Sequence, residues 1–344
     1  MAGTLVLGSP SPGASAVKPQ LDCSKPRELS RWGLEMIDVE KAAPLRLTLN
    51  EITVAVIDTG LDFSHPDFEG RLWTNAGESG KDRKGREKAS NGIDDDRNGF
   101  VDDVHGWNFA GRNNDLRDRH GHGTHIAGII AGRRQGISPN AKLMILKFYD
   151  PAADPKNALT NTVDAIAYAT KMGAHIINFS AGGGDRSPRE EEAIRKASKK
   201  NILFIAAAGN EKADSDIRPY FPAGYDIENI LSVGALTWSS DRLSVGNFGR
   251  RTVDLAAPGG HICSTSPGGG YEPMSGTSQA TAFATGVAVL LLGRAFMTPA
   301  ETIRQLSRSG LPNSHLKNRT KYEVQLNSYR ALAMKDERFS AGGL

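Results

Sequence analysis

Ile52-Thr53-Val54-Ala55-Val56-Ile57, followed at once by Asp58-Thr59-Gly60, is the stretch on which the fold turns. Six β-branched or small residues in an unbroken run read as a strand buried on both faces. The polar triplet after them reads as the loop at its carboxyl end. Working outward, residues 141–148, 175–179, 202–208, 230–235 and 253–256 repeat this pattern. Helical stretches lie between and after them. Residues 161–171 carry Val163, Ile166, Ala167 and Thr170 at helical spacing. Residues 188–200 place Glu early and Lys late, which suits the helix dipole. Residues 278–296 are apolar and Ala-rich, and 299–307 form a further helix. Such alternation implies an α/β fold, with a mostly parallel twisted sheet between two helical layers. Ligands of these sheets bind beyond the carboxyl ends of the strands. Asp58, Ser180 and Asn210 all follow predicted strands, so they share one rim.

The chain has 344 residues, and a prior of about 150 per domain allows two domains. No linker divides residues 31–334, which favours one. Residues 1–30, rich in Pro, Ser and Gly, read as a flexible N-terminal arm, and 335–344 as a C-terminal tail. Apolar residues at 39% and charged ones at 24% exclude wholesale disorder. A net charge of +3 gives no electrostatic case for nucleic acid as the partner. No apolar run approaches the length of a membrane span, and the first residues lack the pattern of a signal peptide. Cys23 and Cys263 are the only cysteines; spacing alone leaves open whether they pair. Residues 75–103 are polar and dense in charge, which reads as a long surface insertion.

Three residues carry the chemistry. Asp58 ends a buried strand. His122 stands in Asp118-Arg119-His120-Gly121-His122-Gly123-Thr124-His125, before an apolar helix. Ser278 stands in Gly276-Thr277-Ser278-Gln279-Ala280, at the start of the Ala-rich helix, within the positive field of a helix N-terminus. Taken alone, Asp58 could cap a helix or bind a ribose, and Ser278 could be an N-cap.

In the order Asp…His…Ser, these motifs resemble the subtilisin-like serine proteases, from near Trp32 to near Leu332. The resemblance implies the three-layer subtilisin-like fold over 31–334 and a monomeric endopeptidase acting on protein or peptide substrates. It makes Ser278 the nucleophile, His122 the general base and Asp58 its orienting acid. Asn210, in Ala206-Ala207-Ala208-Gly209-Asn210, takes the place of the oxyanion-hole donor. Ser180-Ala181-Gly182-Gly183 resembles the strand that pairs with an extended substrate. With Ala207, Ala208 and Gly209 it would wall the main specificity pocket, and Tyr220 would stand at the pocket base. A second substrate strand would fall near Asp154-Pro155-Lys156-Asn157, where the usual Gly is missing. Ala282 replaces a family Pro in the nucleophile helix, which implies a packing change without loss of activity. The thirty-odd residues before the domain are too few for the family's globular propeptide, which implies a mature form or unaided folding. The family is mostly exported, so an extracellular site is expected.

Asp94-x-Asp96-x-Asn98-Gly99, with Asp102 at the ninth position, matches the first half of an EF-hand-like calcium loop. His105 stands where the bidentate Glu belongs, so Asp103 or a distant carboxylate must complete the shell. Asp67 resembles a family position that ligates a separate calcium. Two rival classes stand beside this. His120-x-His122-x-x-His125 resembles a zinc motif of metallo-β-lactamase-like hydrolases, although Thr124 replaces its Asp. A non-enzymatic binding protein would have no use for Asp58, His122, Asn210 and Ser278 together.

Overall fold

The computed structural model describes residue 23 and residues 31–46 and 49–334. The N-terminal arm, apart from Cys23, and the C-terminal tail from residue 335 lie outside the described residues.

The strands are β1 (Ile52–Asp58), β2 (Gly106–Asn108), β3 (Ala141–Lys147), β4 (Ile176–Phe179), β5 (Leu203–Ala207), β6 (Ile230–Leu236), β7 (Leu255–Pro258), β8 (Ile262–Ser266), β9 (Gly270–Met274), β10 (Leu311–Pro312) and β11 (Val324–Gln325). The helices are α1 (Trp32–Met36), α2 (His122–Ala131), α3 (Ala158–Lys171), α4 (Pro188–Ser198), α5 (Thr277–Arg294), α6 (Pro299–Ser309) and α7 (Ser328–Ala333). Nine strands form one sheet in the order β10-β11-β7-β6-β5-β4-β1-β3-β2. Every pairing in it is parallel except β10 with β11. From β1 the chain adds β3 on one side and β4, β5, β6 and β7 on the other. The strand order therefore reverses between β1 and β4, which opens a crevice at their carboxyl ends.

The period of two along β1 sorts its side chains between the layers. Val54 and Val56 face a core shared with α2 and α5, through Ile126, Ile130, Ala284 and Val287. Ala55 and Ile57 face the opposite core, shared with α3 and α4 through Ile166, Ala169 and Ile194. Both faces are covered, which is why the run is apolar without alternation. Helix α5 is buried on almost every side, and its small residues permit that: a Cβ on Gly286 would lie 2.7 Å from the Ile137 side chain. At Ala282 this helix runs unbroken.

Helix α4 begins where its sequence directs. Ser187 accepts from the Glu190 N–H, Pro188 opens the first turn, and Arg195 and Lys196 close the last. Glu190 itself is buried, and its carboxylate accepts a hydrogen bond from the Tyr225 hydroxyl at 2.9 Å. Burial pushes its pKa up to about 7, against the smaller opposing effect of that bond. A raised folded pKa means stability present below the unfolded value of about 4.3 and lost as pH rises through 7. The loss amounts to about 3 kcal/mol by pH 8. Glu190→Gln is therefore expected to flatten the thermal melting profile between pH 4 and 8, mainly by raising its alkaline end. An unchanged profile would contradict this.

Candidate active site

Three chain segments meet at the crevice. Strand β1 ends on Asp58, α2 starts on His122, and α5 starts one residue before Ser278. Asp58, His122 and Ser278 are 1%, 4% and 3% exposed. The His122 ring meets Asp58 through Nδ1, 2.8 Å from Oδ1. That oxygen also accepts from the Thr59 N–H at 2.8 Å. Oδ2 of Asp58 is buried without a partner.

Glycines let the segments touch. Gly60 has φ +116°, and a Cβ there would lie 2.4 Å from the Leu116 carbonyl oxygen. A Cβ on Gly123 would lie 2.3 Å from the Gly60 carbonyl oxygen. The first turn of α2 thus packs directly on the end of β1.

Asp118 joins these two segments. Its Oδ1 accepts from the Thr59 hydroxyl at 2.9 Å and from the N–H groups of His120 and Gly121. Its Oδ2 accepts from the Thr124 N–H at 2.8 Å and from the Thr124 hydroxyl. The Thr59 hydroxyl oxygen in turn accepts the Gly123 N–H at 2.8 Å. Helix α2 has no capping side chain of its own, so Thr59 and Asp118 satisfy its first free amides. Burial opposes charge on the His122 ring, but the carboxylates of Asp58 and Asp118 outweigh it and hold its pKa above the ordinary value. Neither role is legible in the sequence. Asp118 sits in a charged loop, and nothing local points to Thr59, 59 residues away.

At rest, the Ser278 hydroxyl donates to the Ser180 carbonyl at 2.8 Å. Among the described residues, Nε2 of His122 has no hydrogen-bond partner. Catalytic hydrogen bonds often form only with substrate present, and a turn about Cα–Cβ is all that separates this rotamer from one aimed elsewhere. Behind the serine runs a buried polar chain. The Ser180 hydroxyl donates to the Ser278 carbonyl at 3.2 Å. Asn178 donates to the Ser180 hydroxyl oxygen, and Thr285 donates to Asn178 Oδ1. Asn178 on β4 and Thr285 on α5 thus brace the backbone around the hydroxyl.

Asn210 follows β5. Its Oδ1 accepts the Thr277 N–H at 3.0 Å, and among the described residues its Nδ2 has no hydrogen-bond partner. Asn247 holds the loop beneath: it accepts from Glu211 and Ala213 and donates to the Ala208 carbonyl. Asn210 is thus tied to Thr277, the residue that precedes Ser278 at the start of α5.

Other expected residues are placed differently. Gly183 is already paired: its N–H donates to the Phe221 carbonyl at 2.8 Å and its carbonyl accepts the Phe221 N–H at 2.7 Å. Among the described residues, the backbone groups of Ala181 and Gly182 have no hydrogen-bond partner. The second substrate strand is corrected: Pro155–Asn157 is a single 3₁₀ turn capped by Asp154, because Pro155 presets φ and Asp154 captures the Lys156 N–H. The three imidazoles of the zinc alternative do not converge. His122 Nδ1 is bonded to Asp58, while His125 Nε2 lies at 3.0 and 3.1 Å from the carbonyls of Ile262 and Glu272. Burial, with His122 nearby, lowers the His125 pKa to about 3.

The acidic insertion is partly internal. Glu78, Asp96 and Asp103 bring carboxylate oxygens within 4.8 Å of one another. Glu78 is 0% exposed, and its Oε2 has no partner. Burial, and then the neighbouring acids, raise the pKa of Glu78 and of Asp103. Of the loop residues read as ligands, Asp96 belongs to this group, together with Asp103, which was expected to complete the shell, whereas Asp94, Asn98 and Asp102 do not. Asp94 accepts the Asn98 and Gly99 N–H groups and so folds the turn. Asn98 donates to Asp103, and Asp102 turns to the Gly92 N–H. Asp67 lies apart, with its oxygens held by the Tyr271 hydroxyl and the Arg134 N–H. Glu78, the third member of this group, stands upstream of the loop, at a separation no loop pattern encodes.

Cys23 and Cys263 form a disulfide, which resolves the pairing the sequence left open. Cys263 lies on β8, whose Ser264 and Thr265 hydroxyls donate to the carbonyls of His125 and Thr124 in α2.

An α/β sheet with Asp, His and Ser side chains drawn to one switch point defines the class of triad hydrolases. Residues 50–325 match the model of the subtilase family, and the chain belongs to that family. It is 32% identical over 244 residues to the "Thermophilic serine proteinase" of Bacillus sp. (strain AK1), a match covering 69% of this chain and 51% of that protein. It is 30% identical over 265 residues to "Subtilisin BL" of Lederbergia lenta, covering 76% and 83%. A crystal structure of a cold adapted subtilisin-like serine proteinase superposes with a TM-score of 0.66 at 28% identity, covering 83% of this chain and 90% of that one. The chain spans about half the length of the first curated relatives it matches.

Proposed function

We propose that the protein is a serine endopeptidase that cuts extended peptide segments through an acyl-enzyme intermediate. The observation that carries this is the buried Asp58–His122 hydrogen bond at the mouth of the crevice that also holds Ser278. In this mechanism the peptide's carbonyl carbon approaches Ser278, and the hydroxyl turns from Ser180 toward His122 Nε2. His122 takes the proton as the oxygen attacks, and Asp58 stabilises the imidazolium. The oxyanion draws hydrogen bonds from Asn210 Nδ2 and the Ser278 N–H. His122 then protonates the leaving amine, and water repeats the sequence to free the acid. The peptide strand lies along Ala181 and Gly182, whose open backbone groups give affinity without reading side chains. Incubation with a proteome-derived peptide library tests this: discrete cleavage sites are expected, and an uncut library from folded protein would overturn it.

Asn210→Ala is expected to lower kcat by about 10²–10³, the loss known for the corresponding donor in subtilisin of the same family, with KM little changed. Steady-state kinetics on one peptide measures it. A loss confined to KM would move Asn210 from the oxyanion to ground-state binding.

The acidic insertion suits a structural calcium ion. Glu78, Asp96 and Asp103 would hold it, and the unpartnered Glu78 oxygen supports that fit. A hard cation with oxygen ligands would offset the mutual repulsion of the three acids. Calcium at a hundredfold excess over its Kd is expected to stabilise the fold by about 2.7 kcal/mol. Glu78→Gln should abolish that gain, as read by thermal melting with calcium and with chelator. An equal calcium shift in the variant would contradict the site. The disulfide supports an oxidising, extracellular compartment, and protein substrates are the partners. Among the described residues no single helix is long and apolar enough to cross a membrane.

A further inference from the structure

The gap that must receive the side chain preceding the scissile bond lies between the ends of β4 and β5. Gly182 stands on one wall, two residues beyond the carbonyl that holds the Ser278 hydroxyl. Gly209 stands on the other, one residue before Asn210. A substrate carbonyl held by Ser278 and Asn210 therefore places its own side chain between these two glycines. Glycine on both walls would ordinarily open a deep slot.

Here the slot holds a ring of the chain itself. A Cβ built on Gly182 would lie 2.5 Å from Tyr220 Cε1 and 3.0 Å from its Cζ. A Cβ built on Gly209 would lie 2.9 Å from Tyr220 Cδ2. Cε1 and Cδ2 are opposite atoms of the ring, so it spans the gap from wall to wall. Tyr220 is 7% exposed, as a side chain filling a crevice must be. Its backbone is anchored as well. Phe221 pairs with Gly183 in both directions, the Gly224 N–H donates to the Tyr220 carbonyl at 2.7 Å, and the Phe221 ring lies 4.6 Å from that of Tyr225. Glycine is also required at 182 by the Phe221 carbonyl oxygen, 2.4 Å from such a Cβ, and at 209 by a φ of +101° and by Asn247 Nδ2 at 2.3 Å, so the ring fills the space between two walls that must stay small.

We propose that Tyr220 closes the floor of this pocket and restricts cleavage to bonds that follow Gly, Ala or Ser. The inference rests on the endopeptidase assignment and names the substrate class of that same site. Large aliphatic or aromatic side chains at the same position would have to displace a buried ring packed on two backbones.

Peptidyl diphenyl phosphonates that differ only in the side chain next to phosphorus provide the test, with capture at Ser278 followed by mass spectrometry. The wild type is expected to react faster with the hydrogen and methyl probes than with the isobutyl and benzyl probes, by about tenfold or more. Tyr220→Phe should keep that order, since ring volume sets it. Tyr220→Ala should gain most toward the benzyl probe, and if it fails to melt cooperatively the first two proteins still decide. Equal or faster capture of the benzyl probe by the wild type overturns the pocket assignment and leaves the protease assignment standing. Capture of none of the four probes overturns the protease assignment, and the pocket with it.

Discussion

Ser278→Ala is expected to abolish turnover, by about 10⁶ in kcat, while leaving the fold intact. A loss of that size follows when the nucleophile of a coupled triad is removed, as in subtilisin, and the remainder comes from oxyanion stabilisation and binding. The structure explains why the fold should survive. The serine hydroxyl makes one hydrogen bond, to Ser180, and the start of α5 is held separately by Asn210 and Thr277. Removing a single hydroxyl there costs about 1 kcal/mol. Peptide kinetics together with a melting curve separates the two effects. Retention of wild-type turnover would end the assignment, whereas loss of both activity and cooperative melting would make Ser278 a structural residue.

The second large effect is expected at Asp58→Asn. The carboxylate accepts from His122 Nδ1 at 2.8 Å and so keeps Nε2 free of a proton. An amide can offer an N–H at the same place, which forces Nδ1 to accept and puts the ring's proton on Nε2. The wrong tautomer cannot receive the Ser278 proton, and a loss of about 10⁴ in kcat is expected at neutral pH. The pH profile carries a second signature. Activity requires neutral His122, whose pKa the two carboxylates hold above 6.5 against burial. The acidic limb of kcat/KM in the wild type should therefore have its midpoint above pH 6.5. In the variant one negative charge is gone, the charged ring is favoured less, and the limb moves to lower pH. A variant with unchanged kcat would show that Asp58 does not set the tautomer.

How much of this was legible in the chain follows from how local each signal is. The apolar run 52–57 and its successors are properties of single segments, so the strands and helices read from them fell within a few residues of their observed ends, whereas the short or polar strands β2, β8, β9, β10 and β11 carry no such run and were not read. The three triad positions carry their own short motifs. The supporting polar network does not. Asp118 reads as one more charge in a charged loop, and its role exists only because Thr59 and the start of α2 are folded against it. Glu78 is the same case, a buried acid whose partners arrive from residues 96 and 103. The strand expected at 154–157 was carried over from the resemblance, and in its place Pro155 opens a 3₁₀ turn. The resemblance sets Tyr220 near the pocket base, but its ring contacts with Gly182 and Gly209 join segments far apart in sequence and have no local signal.

The most direct measurement is a crystal structure of the protein after reaction with a peptidyl phosphonate. Phosphorus is expected on Oγ of Ser278, with that side chain turned away from the Ser180 carbonyl and the phosphoryl oxygen within hydrogen-bond reach of Asn210 Nδ2. His122 should remain bonded to Asp58 through Nδ1, with Nε2 facing the adduct. A phosphonate attached to another side chain, or bound at Ser278 with the His122 ring turned away from it, would contradict the convergence of the three residues.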